Sequence, residues 1–235
     1  MTKRIAIIPA RGGSKRIPNK NIREFCGKPM IAYILQTARD SGLFDAIHVS
    51  TDSAAIREAV ERLGFHVGFM RPKELADDHT PIMPVLRFVA ETYASRGQRF
   101  DQVWLLMACA PLVSASDLRQ AAHLFEQAGA ESPVLSVSEY PVPIEWAFTR
   151  APDGQMTPVQ PGMFAVRSQD LGKKYFDAGA FVAFPAQVVE RSEGAGTDMG
   201  LVGYVLPKER AVDIDDEADW ALAEALYRIR MTGEK

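Results

Sequence analysis

RIAIIPARGGSKRIPNKN, residues 4–21, is a short β-branched run that breaks into a glycine pair surrounded by cations. Residues 4–9 are typical of a buried strand, and Arg11, Lys15, Arg16 and Lys20 follow within ten residues. A first strand fixes the position of such a loop, glycines let the backbone approach a ligand, and cations offset phosphate charge. The stretch therefore predicts an α/β protein with a polyanion site, which we interpret as a nucleoside triphosphate site.

The spacing of this loop excludes two common kinds of phosphate site. The chain has no G-x-G-x-x-G after the first strand, so the dinucleotide fingerprint is missing. It also has no G-x-x-x-x-G-K-[ST], which excludes a P-loop kinase or GTPase. A solvated cationic loop without a ligand is the alternative interpretation.

The composition is that of an ordinary globular protein. The chain has 235 residues, 47% hydrophobic and 24% charged, with a net charge of −3 that argues against a general nucleic-acid binder. Two cysteines, Cys26 and Cys109, do not form a disulfide scaffold and are interpreted as cytosolic thiols. With no apolar signal core and no run long enough for a membrane span, we expect a cytoplasmic protein.

The order of strands and helices in the first half predicts a parallel sheet with helices on both faces. Strands are predicted at 4–9, 46–50, 66–70, 102–107, 134–137 and 179–184, and helices at 29–42, 53–63, 84–96, 116–127 and 216–231. Ligands of such sheets bind beyond the carboxyl ends of the strands. The Arg11 loop and the segments 50–52 and 108–111 should therefore converge on one crevice.

A proline-rich stretch interrupts this pattern. Prolines recur between Pro141 and Pro161, which is incompatible with ordinary parallel sheet. We interpret the chain as a single domain over 1–235, with 138–176 as a projecting arm.

The segment VDIDDEADW, residues 212–220, carries the candidate metal ligands. If it is a strand, Asp213 and Asp215 point the same way, and Mg²⁺ prefers a few carboxylates plus phosphate oxygens. The alternative is that Asp215 or Asp216 caps the last helix, with Asp219 favourable in its first turn. We favour metal binding for Asp213, and helix capping for Asp216 and Asp219.

Five segments, in order, resemble the acylneuraminate cytidylyltransferase family. They are residues 7–21 (IIPARGGSKRIPNKN), 27–30 (GKPM), 49–52 (VSTD), 71–78 (RPKELADD) and 212–215 (VDID). The resemblance spans essentially the whole chain. It implies a Rossmann-like three-layer α/β/α nucleotidyltransferase with a mostly parallel sheet, whose arm serves dimerisation.

The resemblance also implies roles for individual residues. Arg11, Lys15 and Lys20 would contact the triphosphate, and Asp213 and Asp215 would hold Mg²⁺. The full set of implied nucleotide- or substrate-binding residues is Ala10, Arg11, Gly12, Gly13, Lys15, Lys20, Asn21, Arg71, Ala108, Arg167 and Gln169. The residues that the resemblance assigns to catalysis are Arg11, Lys20 and Asp215.

Residues 167–179 (RSQDLGKKYFDAG) look most like the pseudaminic acid branch of the family. Arg167 is a candidate partner for the sugar carboxylate, with a structural pair to Asp170 or Asp177 as the alternative. Met107 stands where sialic acid enzymes carry a glutamine that reads the base. Cytosine would then be read by backbone groups of residues 108–110, or the base selectivity would be looser.

The implied reaction transfers CMP from CTP to the anomeric hydroxyl of a nonulosonic acid and releases pyrophosphate. Pseudaminic acid is the expected acceptor, and legionaminic acid, N-acetylneuraminic acid or another sugar remain alternatives. A catalytically silent nucleotide-binding protein is the alternative from another class. The resemblance further implies a homodimer and a role in flagellin glycosylation.

Overall fold

A computed structural model describes residues 2–194, 196 and 198–233. The strands are β1 (Arg4–Pro9), β2 (Glu24–Phe25), β3 (Lys28–Pro29), β4 (Ala46–Ser50), β5 (Gln102–Leu106), β6 (Val134–Glu139), β7 (Phe148–Arg150), β8 (Met156–Pro158), β9 (Tyr175–Pro185) and β10 (Val202–Val205). The helices are α1 (Met30–Ser41), α2 (Ala54–Arg62), α3 (Ile82–Ser95), α4 (Ala115–Gln127), α5 (Ala186–Arg191) and α6 (Glu217–Gly233). One-turn 3-10 helices lie at Lys73–Leu75, Ile144–Trp146, Met163–Ala165, Ser168–Asp170 and Lys208–Arg210.

The main sheet has six strands in the order β10-β6-β9-β5-β1-β4. β1 pairs in parallel with β4 and β5, and β10 pairs in parallel with β6. β9 is antiparallel to both of its neighbours, β5 and β6. The chain leaves β6 at Glu139 and returns beside it at Tyr175, so β9 must run in the opposite direction. The mostly parallel α/β sheet is confirmed.

Helices cover both faces of the sheet, which confirms the three-layer architecture. Ala6 and Ile8 of β1 lie in a core cluster with residues of α1, α2 and α4. Ile5 and Ile7 lie in a second cluster with residues of α3 and α5. This alternation follows from the strand geometry, because successive side chains point to opposite faces. α6 packs in a third cluster, where its Trp220 meets Phe25.

One predicted strand is wrong. Residues 66–70, all within the described part of the chain, form no regular strand. Val67 and Phe69 pack into clusters on opposite faces of the sheet, whereas two residues apart on a strand would share one face. Arg71 is the first residue after this stretch with a backbone hydrogen bond to the segment that follows β4. Its N–H donates to Thr51 O at 2.7 Å. The segment therefore contributes apolar side chains to both cores without the conformation or the pairing of a strand.

Residues 140–174 lie outside the six-stranded sheet and are called the arm below. β7 and β8 form a small antiparallel sheet within it. Several of its large apolar side chains are exposed: Val142, Phe148, Met156, Val159 and Phe164. The arm's role in dimerisation stays a prediction. Among the helices of the described residues, none is long and apolar enough to cross a membrane.

A buried histidine makes stability depend on pH. His48 of β4 stacks on Phe69 with ring centroids 4.3 Å apart, and burial, followed by the charges of Arg71, Arg96 and His66, lowers its pKa to about 4. Its Nδ1 lies 3.5 Å from the Tyr93 hydroxyl, and its Nε2 has no hydrogen-bond partner among the described residues. The unfolded chain therefore binds this proton at higher pH than the folded chain does.

We expect His48 to stabilise the fold fully above its unfolded pKa and progressively less as the pH falls toward 4. Between pH 7 and pH 4, wild type should lose about 3 kcal/mol more than His48→Leu in its free energy of unfolding. Urea denaturation of both proteins at the two pH values measures this difference. Equal losses in the two proteins would contradict the assignment.

Candidate active site

A cavity of about 510 Å³ opens beyond the carboxyl ends of β1, β4 and β5. Its polar lining includes Arg11, Lys15, Arg16, Lys20, Asn21, Arg71 and Asp215, and its apolar lining includes Pro9, Leu75, Ile82, Val85 and Met107. The topology places it where ligands of open α/β sheets bind. A second cavity, of about 440 Å³, lies near the start of β5 between α3 and α5 and is remote from these residues.

Backbone contacts hold the loop after β1 against the end of β4. Ala10 N–H donates to Ser50 O at 2.9 Å, and Gly12 N–H donates to Asp52 Oδ1 at 3.0 Å. A Cβ at Gly12 would lie 3.0 Å from Ser53 Cβ, so a side chain there would force a shift. The loop is thus fixed at the close approach that its glycine allows.

Asn21 fixes the loop from the other side. Its side-chain amide donates to Arg11 O at 3.1 Å, and its Oδ1 lies 3.4 Å from Cys109 Sγ. Burial raises the pKa of Cys109 to about 11, so the thiol stays protonated at neutral pH. Asn21 and Cys109 therefore join the β1 loop to the segment after β5, as the predicted convergence requires.

All four cations of the loop contact a carboxylate. Arg11 and Lys15 both pair with Asp78. Arg16 Nη2 lies 2.8 Å from Asp215 Oδ1, and Lys20 Nζ lies 3.9 Å from the same oxygen. Lys20 also donates to Ile214 O. Asp78 is not among the predicted site residues. It lies 67 residues beyond Arg11, in the segment 71–78 that resembles the family.

Arg71 is buried beneath the cavity and held by three acceptors. Its Nε donates to Ser50 Oγ at 3.0 Å, its Nη2 to Ser50 O at 2.6 Å, and its Nη1 to Leu75 O at 3.4 Å. Burial lowers its pKa to about 10, and the guanidinium stays charged at neutral pH. Arg71 is therefore a firmly held cation, and the resemblance implies that it binds the nucleotide or the substrate.

The segment that carries Asp213 and Asp215 is not a strand, although its side chains alternate as they would on one. The last strand ends at Val205, and residues 211–215 are irregular and extended after a 3-10 turn. Ile214 is fully buried, whereas Asp213 and Asp215 are more exposed. An extended backbone alternates its side chains whether or not it joins a sheet.

The start of α6 settles which aspartates cap it. Asp216 Oδ1 accepts N–H bonds from Ala218 and Asp219 at 2.8 and 3.0 Å. Asp219 Oδ2 in turn accepts the N–H groups of Asp215 and Asp216 at 3.0 and 3.1 Å. Capping thus uses Asp216 and Asp219, and the Asp215 carboxylate is left to face the cationic loop.

Asp213 lies against β9. A Cβ at Gly179, which has a φ of +61°, would lie 3.1 Å from Asp213 Cγ, so this position requires glycine. Burial raises the pKa of Asp213, with the charge of Asp215 as the next cause and a smaller contribution from Asp177. Asp177 and Gly179 are not among the predicted site residues. They lie in the segment 167–179, which looks most like the pseudaminic acid branch of the family.

The donor set at Asp213 and Asp215 fits a hard cation that shares its coordination with phosphate oxygens. Two neighbouring carboxylates disfavour each other's charge, which a divalent cation would relieve. In residues 2–194, 196 and 198–233, no group of three or more His, Cys, Asp or Glu side chains could hold a metal by itself. Phosphate would have to complete such a site.

The remaining predicted residues lie in two places. Ala10 and Ala108 are buried at the ends of β1 and β5, and Gly13 has open space around it. Arg167 and Gln169 are exposed on the arm. The Arg167 guanidinium pairs with both oxygens of Asp170, at 2.8 and 3.2 Å, which matches the structural alternative within this chain.

Residues 5–178 match the family model described as cytidylyltransferase. The chain belongs to the cytidylyltransferase family. The β1 loop, the Arg71 segment and the segment after β5 all fall within the matched range. The Asp213–Asp215 segment of this cytidylyltransferase lies beyond it.

Similar proteins cover nearly the whole chain. Pseudaminic acid cytidylyltransferase of Campylobacter jejuni is 37% identical over 97% of this chain and 97% of its own length. CMP-N,N'-diacetyllegionaminic acid synthase of Legionella pneumophila is 29% identical over 96% of each chain. The solved structure of CMP:2-keto-3-deoxy-manno-octonic acid synthetase complexed with CTP has a TM-score of 0.70 at 17% identity, covering 97% of this chain and 100% of that chain. That last likeness shows a shared fold.

Proposed function

We propose that this cytidylyltransferase transfers CMP from CTP to the anomeric hydroxyl of a nonulosonic acid, with pseudaminic acid as the preferred acceptor. The observation that carries the proposal is a single cavity in which a four-cation loop faces the Asp213–Asp215 segment. Such a cavity offers both charge neutralisation for a triphosphate and carboxylates for a divalent cation. The 37% identical relative supports the choice of acceptor.

The reaction joins the anomeric oxygen to the α-phosphorus and breaks the bond between that phosphorus and the bridging oxygen to the β-phosphate. Pyrophosphate leaves with the electron pair, and the hydroxyl loses its proton. The work of the protein is to align the attack and to neutralise the charge on the phosphate oxygens. Arg11, Lys15 and Lys20 would hold the departing pyrophosphate.

Asp213 and Asp215 are the residues that would hold Mg²⁺. When bound, the ion would polarise the phosphoryl group and favour in-line attack. Asp215 is compensated by Arg16 and Lys20. We propose that the triphosphate draws these cations to itself and leaves Asp215 free to serve as a ligand.

The arm supports the proposal that the active form is a homodimer. Exposed apolar side chains extend from Val142 to Phe164, and they include the ring pair of Phe148 and Phe164, whose centroids lie 5.5 Å apart. A second copy could cover them through a symmetric contact. In such a dimer, Arg167 and Gln169 could serve the cavity of the other subunit.

Flagellin glycosylation is the proposed use of the CMP-sugar. One relative, 31% identical over 97% of this chain, is named post-translational flagellin modification protein B of Campylobacter coli.

The test is pyrophosphate release with Mg²⁺ and CTP, with pseudaminic, legionaminic and N-acetylneuraminic acids in parallel and UTP as the control nucleotide. We expect rapid release with CTP and pseudaminic acid. Release only with another acid would correct the acceptor and keep the reaction. CTP binding without release from any of the three acids would favour the silent nucleotide-binding protein.

A further inference from the structure

The carboxylate of Asp78 bridges two cations of the β1 loop. Its Oδ1 contacts Arg11 and its Oδ2 contacts Lys15, so each oxygen serves a different cation. The carboxylate lines the same cavity and is about one-third exposed. A phosphate group bound between Arg11 and Lys15 would make the same kind of contacts.

Asp78 lies in a hydrogen-bonded turn. The neighbouring Asp77 Oδ1 accepts the N–H groups of His79 and Thr80 at 2.9 and 2.6 Å, and the Thr80 hydroxyl at 2.7 Å. Upstream, Leu75 O accepts a bond from the buried Arg71. The bond to Arg71 connects the turn to the buried side of the cavity, and the turn places Asp78 next to Arg11 and Lys15.

We propose that Asp78 is an internal anion that occupies the place of the substrate's phosphates on Arg11 and Lys15 and must be displaced when a polyphosphate binds. The inference rests on the proposed function, because it assigns Arg11 and Lys15 to the triphosphate. The contacts with Lys15 and Arg11 hold the pKa of Asp78 at about 2. The carboxylate is therefore charged at every pH at which the protein works.

Asp78 and a bound ligand compete for Arg11 and Lys15, and the charge of the ligand decides which of them binds. A nucleoside triphosphate or pyrophosphate carries several negative charges and outcompetes one carboxylate for the two cations. A CMP-sugar is a phosphodiester whose phosphate carries one negative charge. Once pyrophosphate has left, Asp78 can return to Arg11 and Lys15 and oppose rebinding. Asp78 thus selects for polyphosphates and speeds their release.

The experiment measures the affinity of wild type and Asp78→Asn for CTP, CMP and inorganic pyrophosphate by calorimetry, at fixed Mg²⁺ and fixed ionic strength. In Asp78→Asn we expect affinity for CTP and pyrophosphate to rise about three- to tenfold, because a competing ion pair of this exposure is modest. CMP affinity should stay the same, because CMP lacks the pyrophosphate group that Arg11 and Lys15 are proposed to hold. Pyrophosphate should also become a stronger product inhibitor.

Glu74→Gln is the matched control, since Glu74 carries the same charge on the same segment and is exposed. It should leave the affinities for CTP, CMP and pyrophosphate unchanged. This result would distinguish the effect of the Asp78 contact from that of removing one negative charge near the cavity. Asp78→Ser should behave like Asp78→Asn, and Asp78→Glu should stay close to wild type. These variants keep the test valid if asparagine disturbs the turn.

Unchanged or weaker pyrophosphate binding in both Asp78→Asn and Asp78→Ser would overturn the inference and leave the proposed function standing. An equal gain in Glu74→Gln would overturn it as well, because the effect would then come from net charge. A wild-type protein that binds neither CTP nor pyrophosphate would overturn the proposed function together with this inference.

Discussion

Replacing Asp215 with alanine should abolish turnover while CTP still binds. The variant loses one of the two carboxylates proposed to hold Mg²⁺, and the loss of such charge stabilisation should lower kcat by at least about a hundredfold. Asp215 also compensates Arg16 and Lys20. Its removal frees both cations, so we expect CTP affinity to be equal or higher. Pyrophosphate release measures the first effect, and calorimetry with CTP measures the second.

Asp216→Ala is the control for this variant. Asp216 is the next residue along the chain, and its carboxylate caps α6 through the N–H groups of Ala218 and Asp219. Losing that cap should cost about 1 kcal/mol of stability and leave kcat unchanged. Full activity in Asp215→Ala would end the assignment of Asp215 as a metal ligand.

The second large effect is expected at Lys20. Its side chain is 21% exposed, and its ammonium group donates to Ile214 O beside Asp215. A cation shielded from water interacts strongly with phosphate charge. We expect Lys20→Met to lower kcat/KM for CTP about a hundredfold or more, by analogy with the removal of one transition-state donor. Steady-state kinetics with varied CTP measures the loss.

Lys28→Met is the matched control for Lys20→Met. Lys28 belongs to the same cationic N-terminal stretch, but its Nζ lies 6.0 Å from the centre of the Tyr33 ring, outside the residues that line the cavity. It should keep wild-type kcat/KM. A Lys20→Met protein with unchanged kcat/KM would show that the triphosphate does not depend on this cation.

Much of the fold could be predicted because its signals are local. The apolar runs at 4–9 and 102–106 are long enough to specify buried strands, and Gly42 ends α1 in the left-handed conformation expected of a C-terminal glycine. The 66–70 segment shows the limit of this reasoning. It is a short apolar run, but a strand also needs a neighbour that bonds to it, and here Val67 and Phe69 pack on opposite faces of the sheet.

The site was predictable where the topology alone brings residues together. The loop after β1 and the segment after β5 follow strand ends, and they line one cavity together with Arg71. The pairing of Arg11 with Asp78 was not predictable, because nothing in residue spacing orients a side chain 67 residues away. The opposite direction of β9 was also hidden, since a single strand carries no mark of its orientation.

The α/β class, the cationic loop and the carboxylate segment could be derived from the chain alone, because strand periodicity and charge are properties of neighbouring residues. Only the tertiary structure decided how charge is shared among them. It set Asp78 against Arg11 and Lys15 and turned Asp215 toward Arg16. These pairings depend on distances across the folded chain, since electrostatic energy falls with separation in space whatever the separation in sequence.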